Sequence, residues 1–277
     1  MLQTRIITAI VMLAVFLPAV LFLPSWYFSL FLSFVVALAF WEWGQFLQFS
    51  SFKRKILGVA AFLFLVCFSF FYEETLQLKG NISLFCLSVL AISSAFWCLV
   101  APIFLHQKWK INGLKGMVLG IVVLFPLWLS VVQMRNFSVE LLLLAMLIVW
   151  IADSVAYFVG KACGKHKMCP SISPGKSWEG ALGGILGVML YFLFLSKIGR
   201  NVDFHWLVFF ITIFLGGIFA ALSIVGDLLE SLFKRQANLK DSSQLLPGHG
   251  GFLDRFDSLA AVLPSFWLMF YFWTINA

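Results

Sequence analysis

Apolar runs fill this 277-residue chain nearly from end to end, and no other feature restricts its fold as much. They fall at 6–23, 27–48, 56–72, 82–105, 116–132, 138–160, 179–197, 205–230 and 258–276. Each is close to the length, about 17 to 25 residues, that an α-helix needs to cross the hydrocarbon core of a bilayer. In hydrocarbon the backbone must satisfy its own N–H and C=O groups, which leaves helices or closed barrels. Barrel strands alternate in polarity over about ten residues, and these runs do not. The expectation is an all-α, polytopic integral membrane protein with about nine transmembrane helices. A mean hydropathy of +1.00, with 62% hydrophobic and 11% charged residues, excludes a water-soluble globule. The first run follows Met1 to Arg5 like a signal-peptide core. It is long and lacks a small-x-small cleavage site before Pro24, so a retained helix is expected.

Lys and Arg accumulate in cytoplasmic loops. With the N-terminus inside, inner segments hold 15 of the 19 basic residues, among them Lys53, Arg54, Lys108, Lys161, Lys176, Lys234 and Arg255. The outer segments hold Lys79, Arg135, Lys197 and Arg200. The chain therefore reads as N-inside and C-outside. This topology accounts for the net charge of +7, and no nucleic-acid partner is inferred from it. Cys67, Cys86, Cys98, Cys163 and Cys169 include no CxxC pair, so no thiolate metal site is expected.

Of 12 acidic residues, eight follow residue 150: Asp153, Glu179, Asp203, Asp227, Glu230, Asp241, Asp254 and Asp257. Residues 1–137 accordingly read as N-terminal membrane helices, mainly scaffold and lipid-facing. Residues 138–277, with their inner loops, read as the catalytic region of one continuous membrane domain. Asp153, in WIADSVAY, and Asp227, in SIVGDLLESLFKR, lie toward the inner ends of their runs. A carboxylate in hydrocarbon is costly unless it faces protein, water or a cation. The bland reading pairs Asp227 with Lys234 or Arg235 and makes Asp153 an interhelical hydrogen-bonding group; Glu42 reads as a packing or interfacial residue. Asp227, Glu230, Ser231 and Lys234 recur at three- and four-residue steps and share a helix face. Asp254 and Asp257 share another if a helix starts near Gly251. Carboxylates gathered without thiols or paired histidines suit a hard ion such as Mg²⁺.

The stretch LLPGHGGFLDRFDS offers unshielded backbone amides at Gly248, Gly250 and Gly251 before a helix start, a setting that favours phosphate. Lys234, Arg235, Lys240 and Arg255 add cationic donors. SISPGKSWEG carries Lys176 and Ser177 but is not a P-loop, because Pro170 stands where that pattern needs glycine. Alone it reads as a basic inner turn with Ser177 and Glu179 at a helix start. His249 is open between general acid–base work, phosphate donation and a turn role.

The segment SLFKRQANLKDSSQLLPGHGGFLDRFD, residues 231–257, closely resembles the signature of phosphatidate cytidylyltransferases, S-x-hydrophobic-K-R-x4-K-D followed by P-x-H-G-G-hydrophobic-x-D-R-hydrophobic-D. WIADSVAYFVGKACGKHK, SPGKSWEG and QTRIITAI resemble further elements of that family. The resemblance implies a bacterial inner-membrane enzyme, its active site facing the cytoplasm, that joins CTP and phosphatidate, releasing pyrophosphate and CDP-diacylglycerol. It implies metal ligation by Asp227 and Asp254, with Mg²⁺ and a monovalent cation such as K⁺. Lys234, Arg235, Lys240, Asp241, His249, Arg255 and Asp257 join them as expected catalytic residues. Asp153, Lys176, Ser177, Gly248, Gly250 and Gly251 are the expected substrate-binding residues. Expected partners are the two substrates and membrane lipid, and a homodimer is compatible with the sequence. Two other readings remain: a transporter with Asp153 and Asp227 as relay groups, and another CTP-dependent lipid phosphotransferase. Polar groups concentrated near one face and in one half count against the transporter.

Overall fold

A computed structural model describes residues 2–71, 83–198 and 206–276. Lys79, Arg200 and Asp203 lie outside the described residues, as does the side chain of Lys197. Among the described residues nine helices are long and apolar enough to cross a membrane. They are α1 (Leu2–Phe22), α2 (Ser25–Phe46), α3 (Ser51–Phe71), α4 (Leu84–Gln107), α5 (Gly113–Phe137), α6 (Val139–Cys163), α7 (Trp178–Ile198), α8 (Trp206–Gln236) and α9 (Leu253–Asn276). The chain is an all-α polytopic membrane protein. Within α4 the ladder widens to a π-helical turn at Phe96–Val100 before Pro102, a local irregularity of the kind that accompanies a missing proline N–H.

Helix ends depart from the apolar runs where the terminal turns are polar. α8 continues to Gln236 through Ser231, Lys234 and Arg235, and α9 begins at Leu253, ahead of Asp254, Arg255 and Asp257. Hydropathy stops at the first charge, whereas helical hydrogen bonding does not. A second departure is a small antiparallel hairpin, β1 (Lys167–Cys169) and β2 (Ser173–Ser177), inside the segment expected to be a plain loop. Lys167 pairs with Ser177 and Cys169 with Ser173, and Trp178 N donates to His166 O at 2.9 Å, so the hairpin closes onto the start of α7.

α5, α2 and α9 form the interior, while α1 is the least buried span. Trp128 and Trp267 are almost wholly enclosed, and each indole N–H reaches a partner: Trp128 Nε1 donates to Ser33 Oγ at 3.0 Å and Trp267 Nε1 to Gln133 Oε1 at 2.7 Å. In a lipid setting such contacts, together with close packing, hold helices together in place of a hydrophobic drive. Small residues set the two approaches that matter for the site. A Cβ on Gly180 or Gly184 would stand 2.8 Å from Ala156 O or Ala152 O, so α7 lies directly on α6. A Cβ on Gly226 would stand 2.5 Å from Asp257 O, so α8 and α9 touch beside Asp227 and Asp257.

Candidate active site

The polar residues meet where the end of α8, the segment 237–252 and the start of α9 come together, with the β1–β2 hairpin alongside. On α8 the i, i+4 spacing brings Lys234 Nζ to 2.5 Å from Glu230 Oε2, and the same ammonium lies 2.6 Å from Asp254 Oδ1 on α9. Lys234 is 12% exposed, and the two carboxylates 6% each. This triad fastens α8 to α9. Asp227 stands two turns before Lys234, out of its reach, and pairs instead with Lys176 of β2, with Nζ 2.6 Å from Oδ2. The bland expectation of an Asp227 pair with Lys234 or Arg235 is thereby corrected. Arg235 donates to Ile172 O at 3.2 Å and Leu239 O at 3.3 Å, bracing the hairpin against the segment that follows α8.

Asp254 accepts at Oδ2 from Ser242 N (2.9 Å), Ser242 Oγ (2.7 Å) and Gly251 N (2.8 Å). Gly248 and Gly250 have φ of 77° and 81°, which a side chain rarely adopts, and Leu246 N and Gly250 O close the turn at 2.8 Å. α1 lies against this turn: Thr8 Oγ1 donates to Pro247 O at 2.8 Å, and a Cβ on Gly248 would stand 3.0 Å from Arg5 Cγ. Of the three glycine amides expected to cradle phosphate, one is engaged within the protein, as are the two amides that follow it. Gly251 N goes to Asp254, while Phe252 N (3.1 Å) and Leu253 N (2.7 Å) go to Glu42 of α2.

Glu42, read from sequence as a packing or interfacial residue, is enclosed by the segment that leads into α9. It is 0% exposed, and besides those two amides it accepts from Ser243 Oγ at 2.5 Å and Ser242 Oγ at 3.3 Å. One signal was available, since Glu42 is the sole acidic residue before position 73 and sits mid-run, where an ionisable group needs a reason.

Asp153 on α6 interacts electrostatically with Asp227, Lys176 and Arg255, and Asp257 with Asp227, Asp153 and Lys234. Asp257 Oδ1 accepts from Ser258 N at 2.7 Å. Asp153, Asp227, Glu230, Asp254 and Asp257 thus gather around three cations, Lys176, Lys234 and Arg255. Other expected residues take different positions. Ser177 is buried against Gly160 and accepts from Gly180 N at 3.2 Å, as a cap for α7. Glu179 accepts from Lys165 N at 3.1 Å and meets His166 Nδ1 at 2.6 Å, fixing the approach to the hairpin. Lys240 and Asp241 are exposed, with no ion pair found for either among the described residues. The His249 ring is half-buried, its backbone carbonyl accepting from Arg255 Nη2 at 3.3 Å. Burial, then the charges of Arg255 and Arg5, hold its imidazole below the ordinary value of 6.5.

The oxygen-only donor set and the excess of carboxylates over cations fit a hard divalent ion that keeps several waters. Asp227 is the accessible candidate, 30% exposed and held by Lys176 and by Ser231 Oγ, which donates to Oδ1 at 3.3 Å. Asp254 is committed to four internal donors, so it can serve a metal only by releasing some of them. Among the described residues no three His, Cys, Asp or Glu side chains already stand as a ligand cage.

A family model described as the cytidylyltransferase family matches residues 3–273. A phosphatidate cytidylyltransferase of Haemophilus influenzae is 36% identical over 302 aligned positions, covering 99% of this chain and all of the relative. One from Pseudomonas aeruginosa is 35% identical, with 96% of each chain covered. One from Staphylococcus epidermidis is 46% identical over 135 residues, covering 48% of this chain and 49% of its own.

Proposed function

The chain belongs to the cytidylyltransferase family, and from that premise we propose that it transfers CMP from CTP to phosphatidate. The products are CDP-diacylglycerol and pyrophosphate. Its setting is a bacterial inner membrane, with the N-terminus and the carboxylate cluster on the cytoplasmic side. The basic residues of the inner segments support that orientation. CTP arrives from water and phosphatidate from the bilayer, so the reaction belongs at an interface.

The observation that carries the reading is the Lys176–Asp227 pair. It is partly exposed, backed by Asp153 and Asp257, and set at the ends of spanning helices. Phosphatidate is a phosphomonoester. Its anionic oxygen attacks the α-phosphorus of CTP without prior removal of a proton by a side chain. The bond from the α-phosphorus to the oxygen bridging to the β-phosphorus breaks, and pyrophosphate leaves with that electron pair. The protein's tasks are alignment and charge neutralisation. A phosphate entering the site separates the existing pair: Lys176 turns to a phosphate oxygen, and the Asp227 carboxylate becomes available to a counter-cation. Asp227, joined by Asp254 if some of its internal donors let go, would hold Mg²⁺, and the ion would supply neutralisation of phosphate charge. Asp153 and Asp257 stand behind the pair, and Lys234 fixes the α8–α9 geometry.

The test is detergent-solubilised protein with CTP and phosphatidate, assayed with and without Mg²⁺. CDP-diacylglycerol and pyrophosphate in equal amounts, lost on chelation and restored by Mg²⁺, are expected. Absence of the lipid nucleotide under all conditions overturns the reading, and undiminished turnover after chelation overturns the metal dependence.

A further inference from the structure

We propose that Glu42 is a positioning residue for the reaction, through which α2 sets the conformation of the segment 242–253 and of Asp254. This builds on the function proposed above. Glu42 lies in the half of the chain that sequence reading treats mainly as scaffold. Its four hydrogen-bond donors all come from one short segment about 200 residues away in sequence: Ser242 Oγ, Ser243 Oγ, Phe252 N and Leu253 N. Ser243 Oγ and Phe252 N lie on Oε1 and Leu253 N on Oε2, with the Ser242 hydroxyl within reach of Oε2. The two amides are at the N-terminus of α9, so Glu42 occupies the place where an anion is most favoured. A substrate phosphate therefore finds those two amides of the helix terminus already taken.

The link to the reacting groups runs through Ser242. Its hydroxyl lies 2.7 Å from Asp254 Oδ2 and 3.3 Å from Glu42 Oε2, and its single proton serves one carboxylate at a time. Ser242 N also donates to Asp254, and Asp254 holds Lys234. When Glu42 secures Ser243 and the first amides of α9, the Ser242 hydroxyl is left to Asp254. Gly251 shows how closely the parts fit, since a Cβ there would stand 2.2 Å from both Glu42 Oε1 and Ser242 Oγ.

Glu42→Gln places an amide NH₂ against at least one backbone N–H that cannot turn away. Misplacement of supporting groups can cost on the order of 10²-fold in rate. The expected result is a kcat lower by about that factor, with KM for CTP and phosphatidate changed by less than about threefold. Amide exchange should quicken in 242–253 and not in α5 or α6. Glu42→Asp keeps both acceptor oxygens and should recover part of kcat. Ser243→Ala removes one donor and should show the same pattern more weakly, which keeps the test open if Glu42→Gln does not fold. Wild-type kcat in Glu42→Gln, or exchange that quickens uniformly through all helices, overturns the proposal. If wild-type protein makes no CDP-diacylglycerol, the functional reading fails, and the exchange measurement still decides whether Glu42 holds the segment.

Discussion

Removing the ammonium of Lys234 should be far more damaging than removing that of Lys176, although each makes an ion pair of near-identical length. Lys234→Met leaves Glu230 and Asp254 facing each other, both 6% exposed, with no cation between them. Asp254 retains Ser242 and Gly251 as donors, while Glu230 Oε1 has no hydrogen-bond partner among the described residues even in the intact protein. Breaking a buried pair by deleting one partner costs about 3 to 5 kcal/mol. The Lys176–Asp227 pair is 24% and 30% exposed, so solvent screening limits Lys176→Met to about 1 kcal/mol or less. At about 2 to 4 °C per kcal/mol for a chain of this size class, the two variants should differ by roughly 5 to 15 °C in Tm. Both should lose CDP-diacylglycerol formation, Lys234→Met through the α8–α9 geometry and Lys176→Met through lost phosphate contact. The assay is thermal unfolding of purified protein in one detergent, beside turnover below both midpoints. Adding Glu230→Gln to Lys234→Met removes one stranded charge and should recover part of the lost Tm. Equal Tm shifts for the two lysine variants, or no recovery in the double variant, would refute the assignment of the triad as the buried fastening.

His249 should titrate below 6.5, because burial and the charges of Arg255 and Arg5 disfavour its protonated form. Between the lowered folded value and 6.5 the unfolded chain binds more protons, so stability should rise with pH across that window and level off above it. Arg255→Ala should move the imidazole midpoint, read by NMR, upward; no movement would show that the Arg255 charge does not act on it. Gly226→Ala forces α9 away from α8, since the new Cβ would stand 2.5 Å from Asp257 O. A loss of about 1 to 3 kcal/mol is expected on the scale of overpacked interiors, measured by thermal unfolding, with turnover lost together with it.

The helices were legible in the sequence because hydrocarbon imposes a single requirement, apolar length, and the runs meet it. Their polar ends were not marked by hydropathy and showed only in the three- and four-residue spacing of Asp227, Glu230, Ser231 and Lys234 and of Asp254 and Asp257. The turn of α8 that carries Lys234 and the turn of α9 that carries Asp254 are set by helical hydrogen bonding and by partners across the helix pair. The hairpin was equally hidden: Pro174 and Gly175 announce a break in helix, while strand pairing depends on contact with residues 167–169. Convergence of Asp153, Asp227 and Asp257 followed from placing each near the same end of its span. The pairings could not be read, since nothing local to Lys176 points to Asp227. Glu42 was the hardest case, because its donors lie about 200 residues away and a lone acid in an aromatic stretch looks like packing.

The most direct test of the account follows the label from CTP into lipid, using α-labelled and γ-labelled CTP with phosphatidate, Mg²⁺ and either wild-type protein or Asp227→Asn. The account predicts α-label in the lipid product and γ-label in pyrophosphate with wild type, and a loss of at least about 10²-fold in Asp227→Asn with Tm lowered by no more than about 4 °C. Transfer of γ-label to lipid, or full activity in Asp227→Asn, would contradict it.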